Sequence, residues 1–355
     1  MKKHTAAVVG VGRIGWTLGF DKKREQPASH VTALKKNRRI KLIAGVDNNP
    51  KTLALFRQKN PMLRAYQSVD ELYQNRSPDI VVVAVNEDAH LEVALDVISR
   101  GPKLLILEKP VALNLKDAAK IKVAAKKHGV PILVNHERRF AYDYRTAAAY
   151  IATIGPLQSI SAKLFSGMKL YDPDAEESGA YSLLHDGTHL VDIVLFLLES
   201  LEAAGGKGGA AFGESSARSI LKNPVVTGVY RDPKNKKIVR ELCAHYSSKL
   251  CPEVSFFMSG RSRFFGFELD IVGTEGRVCI GNGYAKFYRR FESNLYTGFY
   301  SLSRDKKIVL PKKTGYFANM VQNAADFLDG KAPLMSNLQT GINALAVLEE
   351  IKAAL

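Results

Sequence analysis

The run Gly10-Val11-Gly12-Arg13-Ile14-Gly15 restricts this chain more than any other feature, because it directly follows the apolar stretch Thr5-Ala6-Ala7-Val8-Val9. A G-x-G-x-x-G run between a strand and a helix lets the backbone turn tightly and approach a ligand. It also leaves N–H groups at the helix N-terminus to hold a pyrophosphate. The pattern predicts a strand over 5–9, a helix opening after it, and Gly10, Gly12, Arg13, Ile14 and Gly15 as dinucleotide-binding residues. The next apolar run ends at Asp47, where an acid can hydrogen-bond an adenosine ribose; a turn acid before Asn48-Asn49-Pro50 or a helix cap is the plainer reading. The gap is 47 − 15 = 32 residues, against roughly 20 in the simple fingerprint, and the excess is assigned to an insertion around 20–30. Asp47 would repel the 2′-phosphate of NADP and so points to NAD; Lys51 nearby leaves NADP open.

Up to about residue 135, short Val/Ile-rich runs alternate with amphipathic stretches. Strands are predicted over 5–9, 40–46, 79–85, 103–107 and 131–134, with helices over 88–99 and 114–127 closed by Gly101 and Gly129. That order predicts an α/β doubly wound Rossmann domain over 1–135. Beyond about residue 150 the pattern becomes alternating. Strands over 157–164, 225–230, 237–246, 254–258, 264–272, 277–280 and 284–291 predict an α+β domain over 136–355 with a mostly antiparallel open sheet. Helices over 316–328 and 337–355 end the chain and are free to pack back on the Rossmann domain. A Gly/Ala-rich flexible loop or weak strand is expected at 203–213.

At 355 residues the chain is long enough for two such domains, and 46% hydrophobic with 24% charged residues excludes extensive disorder. Three cysteines, Cys243, Cys251 and Cys279, form no C-x-x-C pair, so neither a disulfide framework nor a zinc ribbon is indicated and a reducing cytoplasm is expected. The stretch from Leu190 to Leu198 contains Asp192 and is too short to span a bilayer, so no membrane association is expected. The 51 Lys+Arg against 35 Asp+Glu leave a net charge of +16. The basic runs are scattered and lack interleaved stacking aromatics, which argues against specific nucleic-acid binding and mildly favours an anionic small molecule.

Two further segments carry chemistry. Glu108-Lys109-Pro110 ends a predicted strand and places Lys109 at the sheet's carboxyl edge; alone, it reads as a turn lysine. Downstream, His185, His189 and Asp192 stand at i, i+4 and i+7 on one helix face, with Leu183, Leu190, Val194 and Leu197 on an apolar one. His189 is the candidate general base, kept neutral by the positive end of the helix, and His185 can orient it, relay its proton or contact substrate. A plain packed or capping histidine is the alternative. His185-Asp186-Gly187-Thr188-His189 also has the spacing of a zinc-binding helix, with Asp192 as a third ligand; Gly187 argues against it, and no metal is assigned.

Taken together, these segments resemble the Gfo/Idh/MocA family of NAD(P)-dependent oxidoreductases, which includes glucose-fructose oxidoreductase and inositol dehydrogenases. The resemblance rests on the glycine run, Glu108-Lys109-Pro110, Arg138-Arg139-Phe140, the Gly-x-His-x-x-Asp of Gly187 to Asp192, and Ile271-Val-Gly-Thr-Glu-Gly276. It implies hydride transfer between a nicotinamide and a CH–OH or C=O carbon of a sugar, polyol or sugar derivative. Lys109 and His189 would flank the nicotinamide and the substrate carbon; Asn86, His90, Glu108 and Lys109 would lie on the cofactor, and Lys109, His185, Asp186 and His189 on the substrate. It further implies a homodimer or homotetramer built on the second sheet. Substrate choice is expected to lie in loops around 165–179 and 281–300. Two departures stand out: His185 replaces a common aspartate, and the usual A-T-P-N-x-x-H turn reads Ala84-Val-Asn-Glu-Asp-Ala-His90. A non-catalytic sensor or co-repressor that binds NAD and a sugar is the alternative within the same resemblance.

Overall fold

The computed structural model describes residues 3–167, 181–205, 212–213 and 220–355. Most of the expected specificity loop at 165–179 and of the Gly/Ala-rich loop at 203–213 therefore lies outside the described residues. The chain divides into two compact units, Met1–Ala141 with Lys313–Ile342 and Tyr142–Lys312 with Asn343–Leu355.

The first unit is built on six strands: β1 (His4–Val9), β2 (Ile40–Val46), β3 (Arg64–Tyr66), β4 (Ile80–Val83), β5 (Leu104–Leu107) and β6 (Ile132–Val134). All their pairings are parallel, in the order β3-β2-β1-β4-β5-β6, the doubly wound order of a dinucleotide-binding fold. Sequence periodicity missed β3, whose three residues are too few to carry an alternation. Every residue of β4, β5 and β6 is buried, as a sheet covered on both faces requires. Helix ends follow local chemistry: Ser29, Asn49, Ser68 and Asn114 cap their helices with side-chain oxygens, and Gly129 closes the helix Leu115–His128 at φ 65°.

This unit ends after Ala141 rather than at residue 135, because Phe140 is buried in its core. The helix Tyr316–Leu328 joins the same core through Phe317, Met320, Val321, Ala324 and Ala325. After it, the N–H of Val134 donates to the Ser336 carbonyl at 3.2 Å and Leu133 bridges to Asn337, so the open edge of β6 is covered. The unit boundary then falls inside the last helix, Leu338–Ala353.

The second unit holds eight strands: β7 (Leu157–Phe165), β8 (Lys222–Arg231), β9 (Val239–Ser247), β10 (Glu253–Ser259), β11 (Gly266–Gly273), β12 (Gly276–Gly281), β13 (Tyr284–Glu292) and β14 (Tyr300–Arg304). Their order is β14-β13-β12-β11-β7-β10-β9-β8 and all pairings are antiparallel except β7 with β10. The helix Tyr181–Gly205 packs on β7, β9 and β10. Inward side chains such as Leu242, Ala244, Tyr246, Val254, Phe256 and Met258 alternate with half-buried ones. β14, which the sequence reading lacked, is a mostly exposed edge strand with no buried residue to mark it. No helix among the described residues is long and apolar enough to cross a membrane.

Candidate functional site

At the carboxyl end of β1 the backbone of Gly10 adopts φ 89°, and its N–H donates to the Val46 carbonyl at 2.8 Å. A side chain at Gly10 would meet the Ala84 carbonyl oxygen after β4, and one at Gly15 would meet the carbonyl oxygen of Gly10. The two outer glycines are thus fixed by close backbone approach. A Cβ at Gly12, by contrast, would have nothing within 4 Å. That open face of backbone is where a diphosphate fits the loop, so the residues present suit a dinucleotide. Arg13 beside it is exposed and Ile14 half-buried.

The loop does not open directly into an α-helix as expected. The Gly12 and Arg13 carbonyls accept from Trp16 and Leu18, giving one turn and the short 3-10 helix Thr17–Phe20. The carbonyls of Ile14 and Gly15 accept instead from His30 at 3.1 Å and Val31 at 2.9 Å, at the start of the helix His30–Lys36. In an unbroken α-helix those donors would be residues 18 and 19. The interruption is therefore 30 − 18 = 12 residues, and 32 − 12 = 20 restores the usual distance from Gly15 to Asp47. The insertion anticipated from the spacing is a detour within the helix, packed by Trp16 edge-on to Phe20 and to Phe56.

Asp47, just after β2, accepts from the Val11 N–H at 3.0 Å through Oδ2 and from the Asn49 N–H at 2.9 Å through Oδ1. The helix-cap reading is corrected: Asn49 caps Pro50–Lys59. Asp47 instead ties the end of β2 to the glycine loop. A carboxylate has about four lone-pair sites, so two remain for a ribose.

Lys109 is half-buried in a turn whose neighbours are both pinned. Before it, Glu108 is buried; its Oε1 accepts from Asn135 Nδ2 at 2.6 Å and from His30 Nε2 at 2.7 Å, and its Oε2 from the Lys109 N–H at 3.3 Å. Burial alone would raise the Glu108 pKa, but the hydrogen bond and charge of His30, with Asn135 and Lys109, hold it below the ordinary carboxylate value. After Lys109, in a cis peptide, the Pro110 carbonyl accepts from His90 Nδ1 at 2.7 Å, while His90 Nε2 lies 3.2 Å from the Val85 carbonyl. Burial holds the His90 pKa below its usual value, so the ring is neutral. A neutral ring has one N–H, so His90 braces the turn of Lys109 and Pro110 through Nδ1, with Nε2 turned towards the carbonyl of the other turn at the sheet's carboxyl edge. Asn86 in the first of these turns is exposed.

In the second unit, His185, Asp186 and His189 are half-buried on the helix Tyr181–Gly205, and Asp192 is buried. Leu183, Leu190, Val194 and Leu197 are all fully buried, as the apolar face requires. Gly187 is continuous helix rather than a break: a Cβ there would lie 2.6 Å from Met258 Sδ, so glycine lets the helix descend onto β10. The dipole argument for His189 is corrected by the helix start. His189 is the ninth residue from Tyr181, beyond the first turn in which the helix end is felt. Among the described residues no group of three or more His, Cys, Asp or Glu side chains is placed to hold a metal ion.

Sequence reasoning missed His30 and Asn135. Their partner Glu108 is 78 and 27 residues away, and no local pattern marks such a pairing; the one available signal was Ser29 as a helix cap.

The comparisons with known proteins agree with this geometry. Residues 5–136 match the model of the Gfo/Idh/MocA oxidoreductase family, NAD-binding Rossmann fold. A 1,5-anhydro-D-fructose reductase from Ensifer adhaerens is 30% identical over 151 residues, 41% of this chain and 45% of that protein; the chain thus aligns with less than half the relative's length. A dehydrogenase structure from Chromobacterium violaceum superimposes with a TM-score of 0.76 at 14% identity, covering 100% of this chain and 95% of that one. The WlbA dehydrogenase from Bordetella pertussis, in complex with NADH and UDP-GlcNAcA, gives 0.70 at 18% identity, covering 99% and 96%. At such identities the structural likeness speaks for the fold, which is shared over the whole chain. Residues 5–136 belong to the Gfo/Idh/MocA oxidoreductase family, whose NAD-binding Rossmann fold they carry.

Proposed function

We propose that this chain is an NAD-dependent oxidoreductase that moves a hydride between the nicotinamide and a CH–OH or C=O carbon of a sugar, polyol or sugar derivative. The observation that carries the reading is the glycine loop, with open backbone at Gly12 and an acid, Asp47, hydrogen-bonded to the same loop at the end of β2. A related protein named as an anhydrofructose reductase supports the substrate class. Bound at this loop, NAD supplies the hydride acceptor or donor. Gly10, Gly12, Arg13, Ile14 and Gly15 hold its diphosphate and Asp47 its ribose, while Asn86 and Glu108 belong to the turns on the cofactor side.

Lys109 donates a hydrogen bond to the substrate oxygen and stabilises its alkoxide character in the transition state. His189 accepts the hydroxyl proton on oxidation, and His185 and Asp186 contact the substrate. The excess of basic residues favours an anionic substrate, the exposed edge strands of the second sheet favour a homodimer or homotetramer, and the free cysteines suit the cytoplasm.

Calorimetric titration with NADH and NADPH tests the reading. The expected result is NADH binding about tenfold tighter than NADPH, with the preference lost in Asp47→Asn, which keeps an oxygen for the Val11 N–H but removes the charge. Activity on a sugar and polyol panel should then fall at least about a hundredfold in Lys109→Ala and in His189→Ala. Binding of neither nucleotide overturns the proposal, and tight NADH binding with no turnover on any substrate favours the sensor.

A further inference from the structure

We propose that His30, delivered by the detour in the glycine-loop helix, is a positioning residue for Lys109 that acts by holding the Glu108 carboxylate. The inference rests on the reading of Lys109 as the donor to the substrate oxygen. His30 is fully buried and is engaged at two points. Its backbone N–H donates to the Ile14 carbonyl of the glycine loop at 3.1 Å, and its ring Nε2 donates to Glu108 Oε1 at 2.7 Å. Phe317 meets the ring edge-on with centroids 5.2 Å apart, fixing its plane. One residue thus links the loop that would hold a diphosphate to the strand end that carries Lys109.

A buried carboxylate held this way differs from ordinary packing. Without His30, Glu108 would keep Asn135 and its own chain neighbour but lose the ring nitrogen that faces it, and burial would then favour the neutral acid. The protonated acid would no longer offer Lys109 a fixed anionic neighbour or the same acceptor for its N–H, 3.3 Å from Oε2. The other titratable groups that face Glu108 are Lys109, His90 and Glu137, so any titration in this region involves them as well. On the far side of Lys109, His90 holds the Pro110 carbonyl. Lys109 therefore stands between two histidine-braced neighbours, one of them braced by the residue at which the helix resumes after its detour.

His30→Phe keeps a ring beside Phe317 but cannot donate to Glu108, whereas His30→Gln can. In His30→Phe, NADH affinity should stay within about threefold of the parent, kcat should fall about tenfold, and the acidic limb of kcat/KM should move up by about one pH unit. His30→Gln should return the limb towards its original position. Superimposable pH profiles for the parent and His30→Phe, or equal behaviour of both variants, would overturn the inference and leave His30 a packing residue.

Trace acetylation of Lys109 by acetic anhydride, followed across pH by peptide mass spectrometry, reads the same environment without turnover. An unchanged Lys109 profile in His30→Phe overturns the inference whatever the enzyme does. A shifted profile in a protein that transfers no hydride sustains the coupling and overturns the functional reading instead.

Discussion

The two sheets bury their strands by different rules. In the first unit, β4 and β5 are buried at every position, so consecutive residues such as Val81 and Val82 are equally inaccessible. In the second, β10 buries Val254, Phe256 and Met258 while Ser255 and Phe257 remain partly exposed. A parallel sheet with helices on both faces has no outer surface; an antiparallel sheet packed on one side keeps one. The difference teaches where each unit can vary, since a polar substitution at any position of β4 strikes core, but from Val254 to Met258 of β10 only at every second one.

The largest effect should come from charge at the centre of the parallel sheet. Val81→Asp and Val82→Asp are each expected to cost more than about 4 kcal/mol and to yield no folded protein, as judged by denaturant melts and soluble yield. In β10, Phe256→Asp should behave likewise while Ser255→Asp stays within about 1 kcal/mol of the parent. Equal tolerance of Val81→Asp and Ser255→Asp would erase the distinction between the sheets.

A smaller effect tests how closely the helix Tyr181–Gly205 approaches β10. Alanine at Gly187 would normally stabilise a helix by about 1 kcal/mol, but its Cβ would press on Met258, and overpacking costs about 1–3 kcal/mol. Gly187→Ala should therefore be net destabilising in thermal melts, and its penalty should shrink or reverse on a Met258→Ala background. Strict additivity of the two changes would show that the contact is slack.

The smallest effect lies at the surface of the first unit, where His4, Arg39 and Lys331 converge on Asp329. Their hydrogen bonds hold its carboxyl well below the ordinary aspartate value. A carboxyl depressed in the folded state stabilises above its unfolded pKa of about 3.9 and loses that contribution as pH falls through the folded value. Asp329→Asn should lower Tm by a constant small amount above about pH 4, and the gap should close below it. A gap that widens in acid would mean that the partners act through something other than charge.

Much of the first unit was legible because its signals are local: apolar runs of strand length, capping residues at helix starts, and three glycines at fixed spacing. Local signals end where the structure depends on distant pairings. The excess spacing before Asp47 announced extra residues, but nothing local indicated that His30 and Val31 would resume the helix on the Ile14 and Gly15 carbonyls. The resemblance implies a cofactor contact at His90, but the orientation of its ring onto Pro110 and Val85 is set by strands that pair only in the folded sheet. The helix carrying His185 and His189 was recognised from its two faces. How deep His189 sits depended on the helix start, the least certain feature of any periodic pattern. The exposed strand β14 left no burial pattern to find.

The detour in the glycine-loop helix has a consequence for how such a chain can change. Its two ends are already held one helical turn apart, so the entropy of closing the loop is small, and it grows only slowly as residues are added. Removing residues 18–29 would place His30 directly after Thr17, still opposite the Ile14 carbonyl, with the helix reading through. The segment is in effect a cassette spliced into one turn of helix and tied at Glu25 to Thr314 and Gly315, and its length can drift while the sheet and its strand order remain untouched.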